Sequence, residues 1–418
     1  MENHIKDIRR RSSLGRSSLI ERSISLLNNF LSNDFNEEEL SGHIVNNELL
    51  GEFRSILWRV YLGILPNLAH SKKGWIQATK ASRSNFDKLI SETNFLNVLN
   101  FYNSKLNNNG ASNNNTNSAF SLDFNFDEEF ELIKNELDIY SEDYDIFKSE
   151  FLKKSYLTIY LAWRSNNNKL NLNKNAITFI CKILAILIYS LYPCIIHLNE
   201  DFGEINDDED DIKNIFNFLN FEDFFEHDIY EIFERLVKFS DMQQYVIKYS
   251  QGALENNLDK EIKKASNEDH NLAELLEKKL NLISVESNKS NNFLEDVSYI
   301  YLYALDKDLL QTLQSKGVDV YNLTANYYLS LFFNATKFEN ITYYIDNVLM
   351  YCKTEGLRFL GYLVISTLIN LEDQITNLSK TEIENLLNNF PLVKRDPKDI
   401  VGKALKIRQK INKKFFNK

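Results

Sequence analysis

The sequence predicts an all-α fold, and three observations carry that expectation. Glycine and proline are scarce, 12 and 4 in 418 residues, so breakers and tight turns are few. Apolar residues, 44% of the chain, recur at spacings of three and four. Period-2 alternation of any length is absent. The clearest helical stripe is Phe53, Ile56, Leu57, Val60, Tyr61, Ile64 and Leu65, and Pro66 should stop it, since proline has no N–H to continue the ladder.

Taken in order, residues 1–20 read as a flexible basic tail in which Arg9, Arg10, Arg11 and Arg16 precede the serines Ser12, Ser13, Ser17 and Ser18. A phosphate on those serines would reverse the local charge. Residues 21–35 form a short amphipathic helix through Ile24, Leu27, Phe30 and Leu31. Helices follow over 52–65 and 74–102. A polar insertion at 103–120 contains the Asn-rich run 107–118, which has nothing to bury. An acidic and aromatic stretch covers 120–151.

The segment 176–198 is long and apolar enough to span a bilayer. Lys182 near its start, Pro193 as a break and the acidic run 207–211 downstream favour the buried central helix of a large helical protein. The run 199–211 reads as a solvated loop; it lacks the glycine and glutamate of a calcium-binding hand. A helical pattern returns over 221–251, and a second polar insertion covers 254–292. Further helices are expected at about 294–316, 320–335, 340–352, 355–374, 380–390 and 397–414. No internal repeat of 20–50 residues is apparent. The expected organisation is a basic tail, 1–20, and one helical domain, 21–414, carrying the two insertions.

Net charge of −11 argues against nucleic acid as a main partner, because phosphates demand clustered cations. Cys181, Cys194 and Cys352 show no metal spacing and cannot all pair, which fits a reducing, cytoplasmic setting. The six histidines are scattered, and no phosphate-binding glycine loop or nucleophile elbow occurs, so neither a metal nor a cofactor is expected. His227 and Asp228 are adjacent on a helix and point in different directions, so His227 reads as a packed or capping residue.

The pattern Arg54-x-x-x-Trp58-x-x-x-Leu62-Gly63-x-x-Pro66 resembles the opening helix of the TBC domain, the fold of GTPase-activating proteins for Rab GTPases. Four later stretches resemble that family in the right order. They are His227 to Val237, Tyr327 to Phe332, Ile345-Asp346 where the family has Trp-Asp, and Phe390-Pro391 followed by Asp399 to Leu405. Within the family, Trp58 to Pro66 and the C-terminal block are most similar to the small TBC subunit of the tuberous sclerosis complex. The middle of the chain, 100–320, barely resembles it. The first helix with Trp75-Ile76 is also similar to the subfamily linked to endosomal retromer.

The resemblance implies a pair of catalytic side chains. An arginine in Ile-x-x-Asp-x-x-Arg would neutralise charge on the transferring phosphoryl group, and a glutamine in Tyr-x-Gln-Gly would position water. Such an arginine finger is worth ~10³–10⁵ in rate, or about 4–7 kcal/mol. In the nearest frames here, Ile133 to Ile139 and Leu172 to Asn175, Ile139 stands at the arginine position and Lys174 at the glutamine position. Arg164 is a weak substitute, more simply read as meeting the helix C-terminal dipole or solvent. Gln243-Gln244 is read as a surface pair. The resemblance therefore implies a TBC-like adaptor or subunit in small-GTPase regulation, catalytically degenerate. A working activator for a Rab GTPase is the alternative. Expected partners are a small GTPase, a helical partner subunit, or both, with peripheral endomembrane association through them.

Overall fold

In the computed structural model every regular element among the described residues is helical. Those residues are 24–25, 27–28, 37–48, 51–66, 72–107, 126–196, 212–220, 222–238, 294 and 296–416. The basic tail, the Asn-rich run, the acidic loop, Gln243-Gln244 and the insertion at 254–292 lie outside them. The chain divides into two compact units. One holds residues 48–243 with the segment up to residue 41, and the other holds residues 244–418 with 42–47.

Helix α1, Glu37–Val45, straddles the division in sequence. The first unit then contains α2 (Gly51–Tyr61), α3 (Lys72–Ile90), α4 (Thr93–Asn107), α5 (Phe126–Asp143), α6 (Glu150–Asn166), α7 (Lys174–Ile196), α8 (Ile212–Leu219) and α9 (Phe225–Lys238). Helix α7 is its centre. It is long and apolar enough to cross a membrane, yet Ile183 to Ile188 are completely buried, with α2, α5, α6 and α9 packed on it. A helix apolar on all sides is stable in water only when neighbours cover every face. Lys182 tolerates this position half-buried, with its pKa drawn down by desolvation and opposed by the charge of Glu136.

Several expected boundaries shift, each for a local reason. The stripe-bearing helix α2 ends at Tyr61, five residues before Pro66. Gly63 adopts φ +70, its N–H reaches the Val60 carbonyl at 3.0 Å, and the Ile64 N–H reaches the Arg59 carbonyl at 2.8 Å. That pair of bonds closes the helix with a left-handed residue, which glycine adopts without penalty. Pro66 instead offers its carbonyl to the Trp75 indole N–H at 2.9 Å. The helix expected over 74–102 is two, with the break at residues 91–92, where the Ser91 hydroxyl donates to the Lys88 carbonyl at 3.0 Å. Pro193 does not break α7; it sits exposed in the last turn, where one lost ladder bond costs least.

In the second unit, an irregular helical run over residues 296–305 precedes α10 (Lys307–Ser315) and α11 (Val320–Leu329). Next come α12 (Phe338–Met350), α13 (Arg358–Asn370), α14 (Lys380–Asn388) and α15 (Pro397–Ile411), with a final wide turn at Asn412–Phe416. Helix α11 ends well before residue 335, because Leu331 and Phe332 take φ +47 and +69 and the Phe332 N–H returns to the Tyr327 carbonyl at 2.7 Å. Left-handed backbone costs about 1–2 kcal/mol per non-glycine residue. Burying the Phe332 ring edge-on to Tyr344, with centroids 5.0 Å apart, returns about as much. The segment expected as one helix over 355–374 is likewise interrupted at Leu371. Helix α15 packs along α13, where the Ser366 hydroxyl donates to the Ile400 carbonyl at 2.9 Å.

A Cβ on Gly63 would meet nothing within 4 Å, so only its backbone conformation resists substitution. Gly63→Ala should therefore destabilise by about 1–2 kcal/mol. The check is urea unfolding followed by tryptophan fluorescence, which reads Trp58 and Trp75 on either side of the turn.

Candidate functional site

The helix that carries the opening motif contributes two further residues, Ser55 and Arg59, to a charged cluster inside the first unit. On α2, Ser55 and Arg59 lie one turn apart, and the Arg59 Nε donates to the Ser55 carbonyl at 3.2 Å. Trp58 is fully buried beside them. The Ser55 hydroxyl donates to Asn220 Oδ1, and Arg59 Nη2 donates to the Leu219 carbonyl at the end of α8. From α3, Arg83 meets Asp228 of α9 through two parallel bonds, Nε to Oδ1 at 3.1 Å and Nη2 to Oδ2 at 2.8 Å. Arg59 Nη1 lies 3.6 Å from the same Asp228 Oδ2. Arg59, Arg83 and Asp228 are each at most 3% exposed.

Aromatic rings close over this ion cluster. The Arg83 guanidinium carbon sits 4.1 Å from the Phe224 ring centroid and 4.9 Å from that of Phe218. His227 does not join Asp228. Its Nε2 lies 2.8 Å from Asp87 Oδ1 while its ring packs against Phe86 and Phe224. Glu231, one turn beyond His227, accepts from the Ser82 hydroxyl. Burial draws the Arg59 pKa down against the opposing charge of Asp228, and it raises that of Glu231.

A second buried pair occupies the α5–α6 side. Arg164 Nε lies 2.9 Å from Glu129 Oε1 and 3.1 Å from Oε2, and its Nη1 donates to the Asn167 carbonyl at 2.7 Å. Tyr160, one turn before Arg164, donates its hydroxyl to Glu129 Oε2 at 3.1 Å. Arg164 is 3% exposed. The expectation that it meets solvent is therefore corrected: it reaches the backbone just past its helix, but a buried carboxylate holds its other face. Burial outweighs that partner at Glu129 and raises its pKa above the ordinary 4.5.

The remaining sequence-derived positions fall as follows. Ile139 is on α5 and 53% exposed. Lys174 is exposed at the first residue of α7. Helices α5 and α7 pack on each other, so both positions belong to one packed pair of helices. Arg54 is half-buried on α2, and Leu62 is buried in the turn that follows. In the second unit, Asp346 is buried on α12. Pro391 is half-buried after Phe390, whose φ is +50 and whose N–H donates to the Asn334 carbonyl at 3.3 Å. Sequence reading singled out neither Arg83 nor Glu129. A lone arginine within a helical stripe, and a glutamate on an acidic helix, give no signal of their distant partners.

Among solved structures, the chain is similar to the Ypt/Rab-GAP domain of Gyp1p, with a TM-score of 0.53 and 13% sequence identity. The alignment covers 93% of this chain and 98% of that one. No family profile matches the sequence, and no curated protein matches it. The fold is therefore all-α and of the Rab-GAP type, the fold expected from the opening motif.

Two outcomes follow from the buried pairs. Asp228→Ala leaves two guanidinium groups buried without their carboxylate and should cost about 3–5 kcal/mol in thermal or urea unfolding. Glu129 should titrate above 4.5 in a carboxyl-resolved NMR titration. Because its folded-state value is raised, its stabilising contribution is complete below 4.5 and is lost as pH rises through the folded midpoint. Glu129→Gln should remove that slope from the pH dependence of stability.

Proposed function

We propose that this chain binds a small GTPase of the Rab class and serves as an adaptor or complex subunit without driving GTP hydrolysis. The fold supports the GTPase part of the reading, since the Gyp1p domain that it resembles is described as a Ypt/Rab-GAP domain. One observation carries the non-catalytic part. Arg164, the arginine nearest the expected finger, is held inside the fold by Glu129, while the two finger frames offer solvent an isoleucine and a lysine.

The chemistry behind that inference is simple. A finger must extend a guanidinium into another protein's active site and lose its water there. Withdrawing Arg164 would strip a buried carboxylate of its partner, at a cost comparable to the stabilisation that a finger supplies. Lys174 carries charge but not the planar fork that spans several phosphoryl oxygens. Arg235 is exposed on α9 but lies outside both frames. A binding surface, by contrast, needs shape and apolar area, which outlast the loss of two side chains. The same reading includes a helical partner subunit of the kind found in the tuberous sclerosis complex, and a cytoplasmic location with recruitment to endomembranes.

Single-turnover GTP hydrolysis by a panel of Rab GTPases tests the proposal. The expected result is retention of the chain on at least one GTP-loaded member, with hydrolysis within about two-fold of the intrinsic rate, against the ~10³–10⁵ of a working finger. Strong acceleration that disappears on Arg164→Ala or Arg235→Ala would make the chain a catalyst. Failure to bind any member would remove the GTPase from the reading.

A further inference from the structure

Charge in this chain is unevenly distributed. Against a net charge of −11, residues 394–418 hold ten lysines and arginines and only two aspartates. The structure arranges them. On α15, Ile400, Val401, Ala404, Ile407 and Ile411 are buried against the second unit. Flanking that buried face, Lys403, Lys406 and Lys410 are exposed within about 60° of arc at 100° per residue, with the exposed Asp399 on the same line one turn before Lys403. Lys413 and Lys414 extend the row through the final turn, so it runs about 16 Å at 1.5 Å per residue. Lys394, Arg395 and Lys398 are exposed at the other end of the helix, next to Val393, an exposed aliphatic residue.

Helix stability explains only part of this. Cations in the last turn complement the negative end of the helix dipole, which accounts for Lys410 and its successors. The same dipole disfavours Lys394, Arg395 and Lys398 at the N-terminal end, where Asp396 already caps the helix by accepting from the Lys398 N–H at 2.9 Å. Ion pairing does not absorb the row either. Arg408 is the cation of this helix that is drawn inward, to Glu355 and the Tyr351 ring, whereas Lys403 meets only the amide oxygen of Asn370.

We infer that the exposed face of α15 docks on an anionic phospholipid bilayer. The row consists of lysines, compact point charges that suit a diffuse layer of headgroups. Among the described side chains the row itself carries neither an arginine fork nor an exposed aromatic ring on which a base would stack, as a nucleic-acid groove requires; Phe415 is buried and Arg395 lies before the helix. Its apolar side is occupied by the fold, so the helix lies on the membrane electrostatically, with Val393 the one aliphatic contact beside it. Each such cation strengthens adsorption to an acidic leaflet about five-fold at physiological salt. This surface is independent of the GTPase reading.

The test is flotation of the full chain with vesicles of phosphatidylcholine alone or with about 30% phosphatidylserine, the lipid that supplies the negative surface potential. Binding is expected only to the acidic vesicles at ~0.1 M salt, with release at ~0.5 M as screening shortens. Replacing Lys403, Lys406 and Lys410 together by Gln should weaken it ~100-fold, and the matching Lys→Arg set should retain it. The positions are exposed, and an unchanged melting temperature confirms an intact fold. Equal binding to neutral vesicles, no binding to acidic ones, an unweakened Gln variant, or tighter binding to a single-stranded RNA at the same salt would each overturn the inference.

Discussion

The first unit depends on one carboxylate. Asp228 receives Arg83 through two bonds and stands 3.6 Å from Arg59, so α2, α3 and α9 meet at a single buried charge. Burying ions is expensive, and an apolar cluster of similar volume would hold helices together at least as well. What ions add is direction. Apolar faces can slide against each other, whereas Arg83 has one orientation in which both nitrogens reach both oxygens, with Phe224 stacked on its face. Arg59 extends this fixity to α8 through the Leu219 carbonyl, and Ser55 repeats it through Asn220. The apolar α7 supplies the stability of the unit, and Asp228 supplies its register.

The same economy of cations bears on function. In the described part of the first unit the arginines are Arg54, Arg59, Arg83, Arg164 and Arg235. Three of them are buried beside carboxylates. An arginine that locks a fold cannot also be lent to a partner's active site, because withdrawing it leaves an acid uncompensated. In the reading proposed above, that competition argues against Arg164 as a finger more strongly than its sequence position does. It also gives Glu129 a structural role, since the acid keeps the guanidinium inside.

Fold class was legible in the sequence because it follows from scarcity of breakers and from periodicity, both of which are local. The expectation that 176–198 is a central helix rested on Lys182 and the acidic flank, and the packing of α7 agrees with it. Helix ends were less legible. Pro66 was the conspicuous stop, yet Gly63 ends the helix, because a left-handed closure depends on two backbone bonds that compete with continuation. Leu331 and Phe332 gave no warning, since non-glycine residues adopt that geometry only when burial of a ring repays the strain. The Arg164–Glu129 and Arg83–Asp228 pairs join positions 35 and 145 residues apart, and a single sequence holds no trace of such distances.

Net charge illustrates a different failing of sums. A total of −11 reads as an acidic molecule that avoids polyanions, and for the average surface that is sound. Electrostatic attraction, however, is decided within a screening length of about 8 Å. A row of lysines about 16 Å long on one helix face, with Asp399 at its N-terminal end, is therefore felt by a surface laid against it, while carboxylates farther off on the fold are screened. The cations were visible in the sequence from Lys394 onward. Their meaning was not, because only burial of Ile400, Ala404, Ile407 and Ile411 determines that Lys403, Lys406 and Lys410 point outward together. An amphipathic helix whose apolar side is already spent on its own core has only its charge left to offer, and that restricts it to partners recognised by charge alone.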